Sequence, residues 1–197
     1  MAERLLPTPS QTVGPFFEFG LLRPPQPEIV PADTPGALVI AGVVYDGQGN
    51  PVPDAMIETW QADRNGLYPS PEDPRIKLSR GLVDVFDPEH FHGFGRCGTD
   101  AGGRFWFRTV KPGSVPWIDG RPQAPHIDVS VFARGLLHRL VTRMYFPDEA
   151  EANASDPALL SVADPAARQT LIAHEEDGRL RFDIRLQGDG ETCFFQI

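Results

Sequence analysis

Residues 124–134 read Ala124-Pro-His-Ile-Asp-Val-Ser-Val-Phe-Ala-Arg134, and the alternation in this stretch decides the fold class. In an extended strand Ile127, Val129 and Val131 fall on one face, with His126, Asp128 and Ser130 on the other. A strand with one apolar face belongs to a sheet packed against a second layer. Two polar side chains at i and i+2 where such a strand begins can grip a metal ion or satisfy one another. The spacing alone leaves both open.

Outward from this strand, similar short runs recur at 38–45, 55–62, 95–99, 104–110, 140–146, 180–187 and 192–196. Between them lie turn residues, among 19 glycines and 21 prolines in 197 residues. Asp46-Gly-Gln-Gly-Asn-Pro51 is turn chemistry, and Asp100-Ala-Gly-Gly103 reads as a hairpin turn. About eight mainly antiparallel strands with one or two short helices predict an all-β sandwich, a closed barrel being the alternative. A helix is expected at 165–173, with Asp164 at the N-cap and Pro165 at the first helical position. A weaker helical turn is expected near 148–153.

Residues 1–36 are proline-rich with little periodicity. Phe16, Phe17, Phe19, Leu21 and Leu22 are unsuited to a solvated tail, so this segment is read as an extended arm laid on a partner chain. The sandwich domain then spans 37–197. Residues 63–94, with Pro69, Pro71, Pro74 and Pro88, form a long excursion of the kind that usually carries function or contacts.

The net charge of −9 and isoelectric point near 5.0 argue against nucleic acid or an anionic membrane as partner. No apolar run approaches a membrane span. Met1-Ala-Glu-Arg-Leu-Leu-Pro7 lacks the apolar stretch of a signal peptide. Cys97 and Cys193 read as a reduced, buried pair of small side chains, and the expected compartment is the cytoplasm.

Six blocks of the chain, in order, resemble the intradiol ring-cleavage dioxygenases. They are Gly42-Val-Val-Tyr-Asp-Gly-Gln-Gly-Asn-Pro-Val-Pro-Asp54, Glu58-Thr-Trp-Gln-Ala-Asp-Arg-Asn-Gly-Leu-Tyr68 and Arg104-Phe-Trp-Phe-Arg-Thr-Val-Lys-Pro-Gly113. The His126 strand follows, then Leu140-Val-Thr-Arg-Met-Tyr-Phe-Pro-Asp-Glu-Ala150 and Arg181-Phe-Asp-Ile-Arg-Leu-Gln-Gly188. Thr8-Pro-Ser-Gln-Thr-Val-Gly-Pro15, Phe132-Ala-Arg-Gly135 and Gln187-Gly-Asp-Gly-Glu-Thr-Cys-Phe-Phe195 narrow the resemblance to the α-type subunit of a two-subunit member. That resemblance implies cleavage of protocatechuate with O2 to 3-carboxy-cis,cis-muconate, by a higher-order assembly of αβ units.

The family's iron site uses two tyrosines and two histidines. Tyr68 matches the first tyrosine and His126 the first histidine, but Val115 stands at the second tyrosine and Asp128 at the second histidine. Phenolate and imidazole donors hold iron as Fe(III), a Lewis acid that takes a catecholate through both oxygens. With valine in the set, Tyr68, Val115, His126 and Asp128 are expected to be a vestigial site without metal, their polar members hydrogen-bonded to one another. The resemblance places the Fe(III) in a homologous β subunit. It places Thr12, Gly14 and Pro15 of this chain's arm against the β subunit's substrate. Arg134, just past the apolar strand end, is read as the supporting cation for the substrate carboxylate, an ordinary interchain ion pair being the alternative. Phe16 stands where a tyrosine is common, so the resemblance carries no phenolic contact there.

Other features read more plainly. Trp60, Trp106 and Trp117 are packing residues, His90 and His92 belong to a surface loop, and His138 and His174 show no companions. Two competing functions stay open at this point: a stand-alone metalloenzyme using Tyr68, His126 and Asp128, and a non-catalytic sandwich scaffold.

Overall fold

The structure is a computed structural model in which residues 20–23, 26–69 and 91–196 are described. Its described strands are β1 (Ala37–Tyr45), β2 (Met56–Trp60), β3 (Phe94–Gly98), β4 (Arg104–Val110), β5 (Val115–Pro116), β6 (Pro122–Gln123), β7 (His126–Phe132), β8 (Leu140–Tyr145), β9 (His174–Glu176), β10 (Arg179–Arg181) and β11 (Ile184–Arg185). Helices α1 (Ala150–Ser155), α2 (Pro157–Ser161) and α3 (Pro165–Gln169) lie between β8 and β9.

The strands form two main sheets, as the alternation predicted. In one, β3, β2, β7 and β8 pair antiparallel in that order. In the other, β1 pairs antiparallel with β4 and parallel with β10 and β11, while β9 pairs with β10. Ile127, Val129 and Val131 of β7 join Ile40, Val44, Ile57, Phe105 and Phe107 in one core cluster, which is the inner face read from the sequence. Buried Gln61 ties the layers: its amide donates to the Val110 carbonyl at 2.9 Å and its oxygen accepts from the Thr109 hydroxyl at 2.6 Å.

Several boundaries differ from the sequence reading for identifiable reasons. The run 180–187 is broken, because Asp183 turns its carboxylate onto the Val43 amide at 2.8 Å in place of a backbone acceptor. β10 and β11 flank that break. Residues 192–196 make only an isolated bridge, Val141 to Phe195. The turn at Asp100 is tight, its carboxylate accepting from the Gly102 and Arg104 amides. It is nevertheless a corner between the two sheets, since β3 pairs with β2 and β4 with β1. The short α3 begins where Asp164 and Pro165 placed it.

Ile29 and Val30 are buried in the main core, so residues 29 and 30 of the proline-rich segment pack on their own chain. Residues 1–19 of that segment, and with them Thr12, Gly14, Pro15 and Phe16, lie outside the described residues, as does His90. Cys97 and Cys193 are unbridged; Cys97 is buried as expected, whereas Cys193 is only half-buried. No helix among the described residues is long and apolar enough to cross a membrane.

Candidate functional site

The beginning of β7 is fastened by a carboxylate that the sequence reading passed over. Asp156 is fully buried and caps α2 by accepting from the Ala158 and Leu159 amides at 2.9 and 2.8 Å. Its other oxygen accepts from the Ala124 amide at 2.8 Å, while the Tyr145 hydroxyl donates to the capping oxygen at 3.0 Å. Four donors thus converge on one side chain and bind α2, β8 and the entry to β7 together. Burial pushes the Tyr145 phenol upward, so it stays a proton donor.

His126 sits inside this bracket, 4% exposed, with its ring tilted against Tyr145 at 5.6 Å between centroids. Its Nδ1 lies 2.8 Å from the Ala124 carbonyl, which can only accept, so the proton is on Nδ1 and Nε2 carries a lone pair. That Nε2 is buried without a hydrogen-bond partner and lies 3.9 Å from Asp128 Oδ1. Burial first and the Arg143 charge second hold the imidazole below its ordinary pKa, which keeps it neutral.

Asp128 does not face His126 alone. Its register partner across the β7–β8 ladder is Arg143, whose Nε lies 2.9 Å from Asp128 Oδ1. The same guanidinium donates to Gln123 Oε1 at 2.7 Å and lies over the Trp117 ring at 5.8 Å. Gln123 is the register partner of Val115 in the β5–β6 hairpin. Val115 is therefore linked to Asp128 through Gln123 and Arg143.

Tyr68 reaches the same corner from the other side. Its loop is knotted by Asp63, which accepts from the Asn65 and Leu67 amides at 2.8 Å each. Gly66 has φ +74°, and a Cβ there would meet the Ser114 carbonyl oxygen at 2.0 Å, so only glycine lets this loop lie against the segment leading to Val115. The Tyr68 ring stacks on Trp60 at 6.0 Å and 7°, and Trp60 is the register partner of Asp128. A cleft of about 520 Å³ opens beside this set, lined by Trp60, Trp117, Asp128, Arg139, Arg143 and Phe195 among others.

Residues 26–188 match the family described as Dioxygenase. The whole chain is 44% identical to the whole of the protocatechuate 3,4-dioxygenase alpha chain of Pseudomonas putida. This is a member of the intradiol dioxygenase family. The protocatechuate 3,4-dioxygenase beta chain of Burkholderia cepacia is 38% identical over 79% of this chain and 66% of its own length. Among solved structures, the dioxygenase domain of a dioxygenase–carbohydrate-binding fusion from Streptomyces sp. SirexAA-E superposes with a TM-score of 0.53 at 27% identity, covering 92% of this chain and 99% of that one.

Intradiol dioxygenases depend on iron, but the residues of this corner do not fit the ion. Val115 offers no donor atom, Asp128 is engaged by a guanidinium, and Tyr68 is stacked on Trp60. His126 Nε2 carries a buried lone pair with no hydrogen-bond partner. Among the described residues, no group of three or more His, Cys, Asp or Glu side chains is placed to hold a metal.

Arg134 lies beyond the opposite end of β7. Its side chain is 66% exposed, and its Nε lies 2.8 Å from Asp54 Oδ2 of the same chain. The sequence reading expected His126 and Asp128 to hydrogen-bond within their own set; instead His126 Nε2 has no hydrogen-bond partner and Asp128 pairs with Arg143, which that reading passed over together with Gln123 and Asp156. For Asp156 a signal was present, since Asp156-Pro157 repeats the Asp164-Pro165 helix start. For Arg143 the signal is a cross-strand charge pair, visible only once the β7–β8 register is known.

Proposed function

We propose that this chain is the α subunit of a heteromeric intradiol dioxygenase that cleaves protocatechuate with O2 to 3-carboxy-cis,cis-muconate, and that its homologous β subunit holds the Fe(III). The observation that carries the reading is the filled corner at His126. The tyrosine and histidine expected there are Val115 and Asp128, and the carboxylate is spent on Arg143. The end-to-end similarity to a chain named as an alpha subunit supports the same division of labour.

In this reading the chain contributes to catalysis from its surface. The leading part of the arm lies on the β subunit, while residues 26–30 stay on this chain's own sandwich, and Thr12, Gly14 and Pro15 form one wall of the β subunit's substrate pocket. Thr12 supplies a hydroxyl, Gly14 lets the backbone approach the ring, and Pro15 stiffens the segment. Arg134 supplies a cation for the substrate carboxylate. The Arg134 side chain is 66% exposed, so its guanidinium stays solvated whether it meets Asp54 or a substrate anion. The αβ units join into a larger symmetric assembly in the cytoplasm, where the free Cys97 and Cys193 are stable as thiols.

The test is iron content with a visible spectrum, on the chain alone and co-produced with its β subunit. The chain alone is expected to be colourless and free of iron, and the pair to be red-brown and to cleave protocatechuate. Iron with tyrosinate-to-iron absorption in the isolated chain would refute the proposal and make Tyr68, His126 and Asp128 a working site.

A further inference from the structure

Absent donors are one reason for a protein not to hold a metal; a resident cation is another. At the His126 corner the positive charge is already supplied. The Arg143 guanidinium is held from three directions, by Asp128 on β7 at 2.9 Å, by Gln123 on β6 at 2.7 Å and by the Trp117 ring at 5.8 Å. Only 18% of its side chain is exposed. A metal ion bound between His126 Nε2 and Asp128, whose facing atoms are 3.9 Å apart, would sit against that fixed charge and compete for the same Asp128 oxygen.

Restoring donors does not remove the obstacle. A larger side chain at Val115 arises opposite Gln123, the residue that steadies Arg143. An imidazole in place of Asp128 would leave the guanidinium without its counter-charge while bringing a metal beside it. The Asp128 carboxylate is matched by the Arg143 guanidinium, and the second buried carboxylate, Asp156, is taken up by three backbone amides and the Tyr145 hydroxyl, so neither is left for an ion.

We infer that Arg143 is a metal-excluding residue, whose guanidinium takes the place in the charge balance that a bound metal ion would hold. The inference rests on the reading of this chain as the subunit without iron, and deepens it by naming what keeps the site closed.

The experiment uses the full chain as wild type, V115Y/D128H and V115Y/D128H/R143Q, each confirmed to assemble with the β subunit. Iron bound to the chain is read by metal analysis and by tyrosinate-to-iron absorption. Uptake is expected in the triple variant and not in the double. Equal uptake by double and triple, or none in an assembled triple variant, would overturn the inference. Iron in the wild-type chain would overturn the proposed function as well, which keeps the two failures distinguishable.

A single substitution covers the case in which the triple variant fails to assemble. Arg143→Gln in the otherwise natural chain leaves His126 Nε2 and Asp128 as adjacent acceptors. Its affinity for Co(II), followed by d–d absorption, is expected to exceed that of the wild-type chain by at least about tenfold. Unchanged affinity would overturn the assignment.

Discussion

The two ends of β7 carry polar side chains on one strand and treat them in opposite ways. At the His126 end the ring is 4% exposed and bracketed by Tyr145, Asp156, Asp128 and Arg143. Beyond the other end Arg134 is 66% exposed and tied only to Asp54. A buried charge needs its partners, because an unpaired one is costly to desolvate, so the first end is fixed in a single arrangement. An exposed charge keeps its alternatives, since water replaces whatever it gives up. The end that resembles a catalytic centre is thus the structural one. The end that looks like ordinary surface is the one free to meet a partner's ligand.

The sharpest way to break this comparison is to remove the carboxylate that makes the His126 end rigid. Asp156→Ala deletes the cap of α2 and strands the Ala124 amide and the Tyr145 hydroxyl inside the protein. A lost cap costs about 1 kcal/mol and each stranded donor about 1–3 kcal/mol, so a destabilisation of about 3–7 kcal/mol is expected in denaturant titration. A loss below about 1 kcal/mol would mean that the end is not locked by this residue. Gly66→Ala attacks the other side of the corner. Its positive φ and the Ser114 carbonyl together predict a loss of about 2 kcal/mol, with the Trp60–Tyr68 stack disturbed in near-ultraviolet circular dichroism.

What the sequence made legible follows the same division. Alternation at Ile127, Val129 and Val131 reports burial directly, so the sandwich and its inner face could be read. The family pattern placed Tyr68, Val115, His126 and Asp128, and these do gather at one corner through Trp60, Gln123 and Arg143. Arg143 was illegible because its importance comes from lying opposite Asp128, and strand register is a tertiary fact. The short strand β9 carries no alternation because all three of its residues are exposed, whereas Leu180 of β10, which the sequence reading did include in a strand, is buried in the core. The break at Asp183 was hidden because a side-chain carboxylate does there what a backbone carbonyl would do.

A pH titration sharpens the contrast with a smaller effect. Burial and Arg143 lower the His126 pKa in the folded chain, so between its ordinary value near 6.5 and the lowered one the unfolded chain binds the extra proton. Stability from this group is therefore complete above about pH 6.5 and falls as pH drops through the window, by up to about 1.4 kcal/mol per pH unit. Asp128, Asp156, Arg143 and Tyr145 face the ring, and among the described residues the other histidines, His92, His138 and His174, are exposed. His126→Gln should flatten the difference in stability between pH 7.5 and 5.5. The same slope in that variant would place the proton elsewhere.

At the exposed end the expected change in stability is the smallest, and that is what makes the test informative. Arg134→Ala removes a pair that is exposed on the arginine side and leaves Asp54 Oδ2 buried, and should move stability by no more than about 1 kcal/mol. If Arg134 meets the substrate carboxylate at the β subunit's pocket, KM for protocatechuate rises several-fold in the assembled enzyme. KM for a catechol lacking the carboxylate stays level. Arg134→Lys keeps the charge but loses the planar fork, so it should recover only part of the loss. If the residue instead serves an ion pair between subunits, both substrates are affected alike and assembly weakens with rising salt. Equal KM values for the two substrates across Arg134→Ala and the wild type would remove Arg134 from the pocket and leave the arm, with Thr12, Gly14 and Pro15, as this chain's contribution to it.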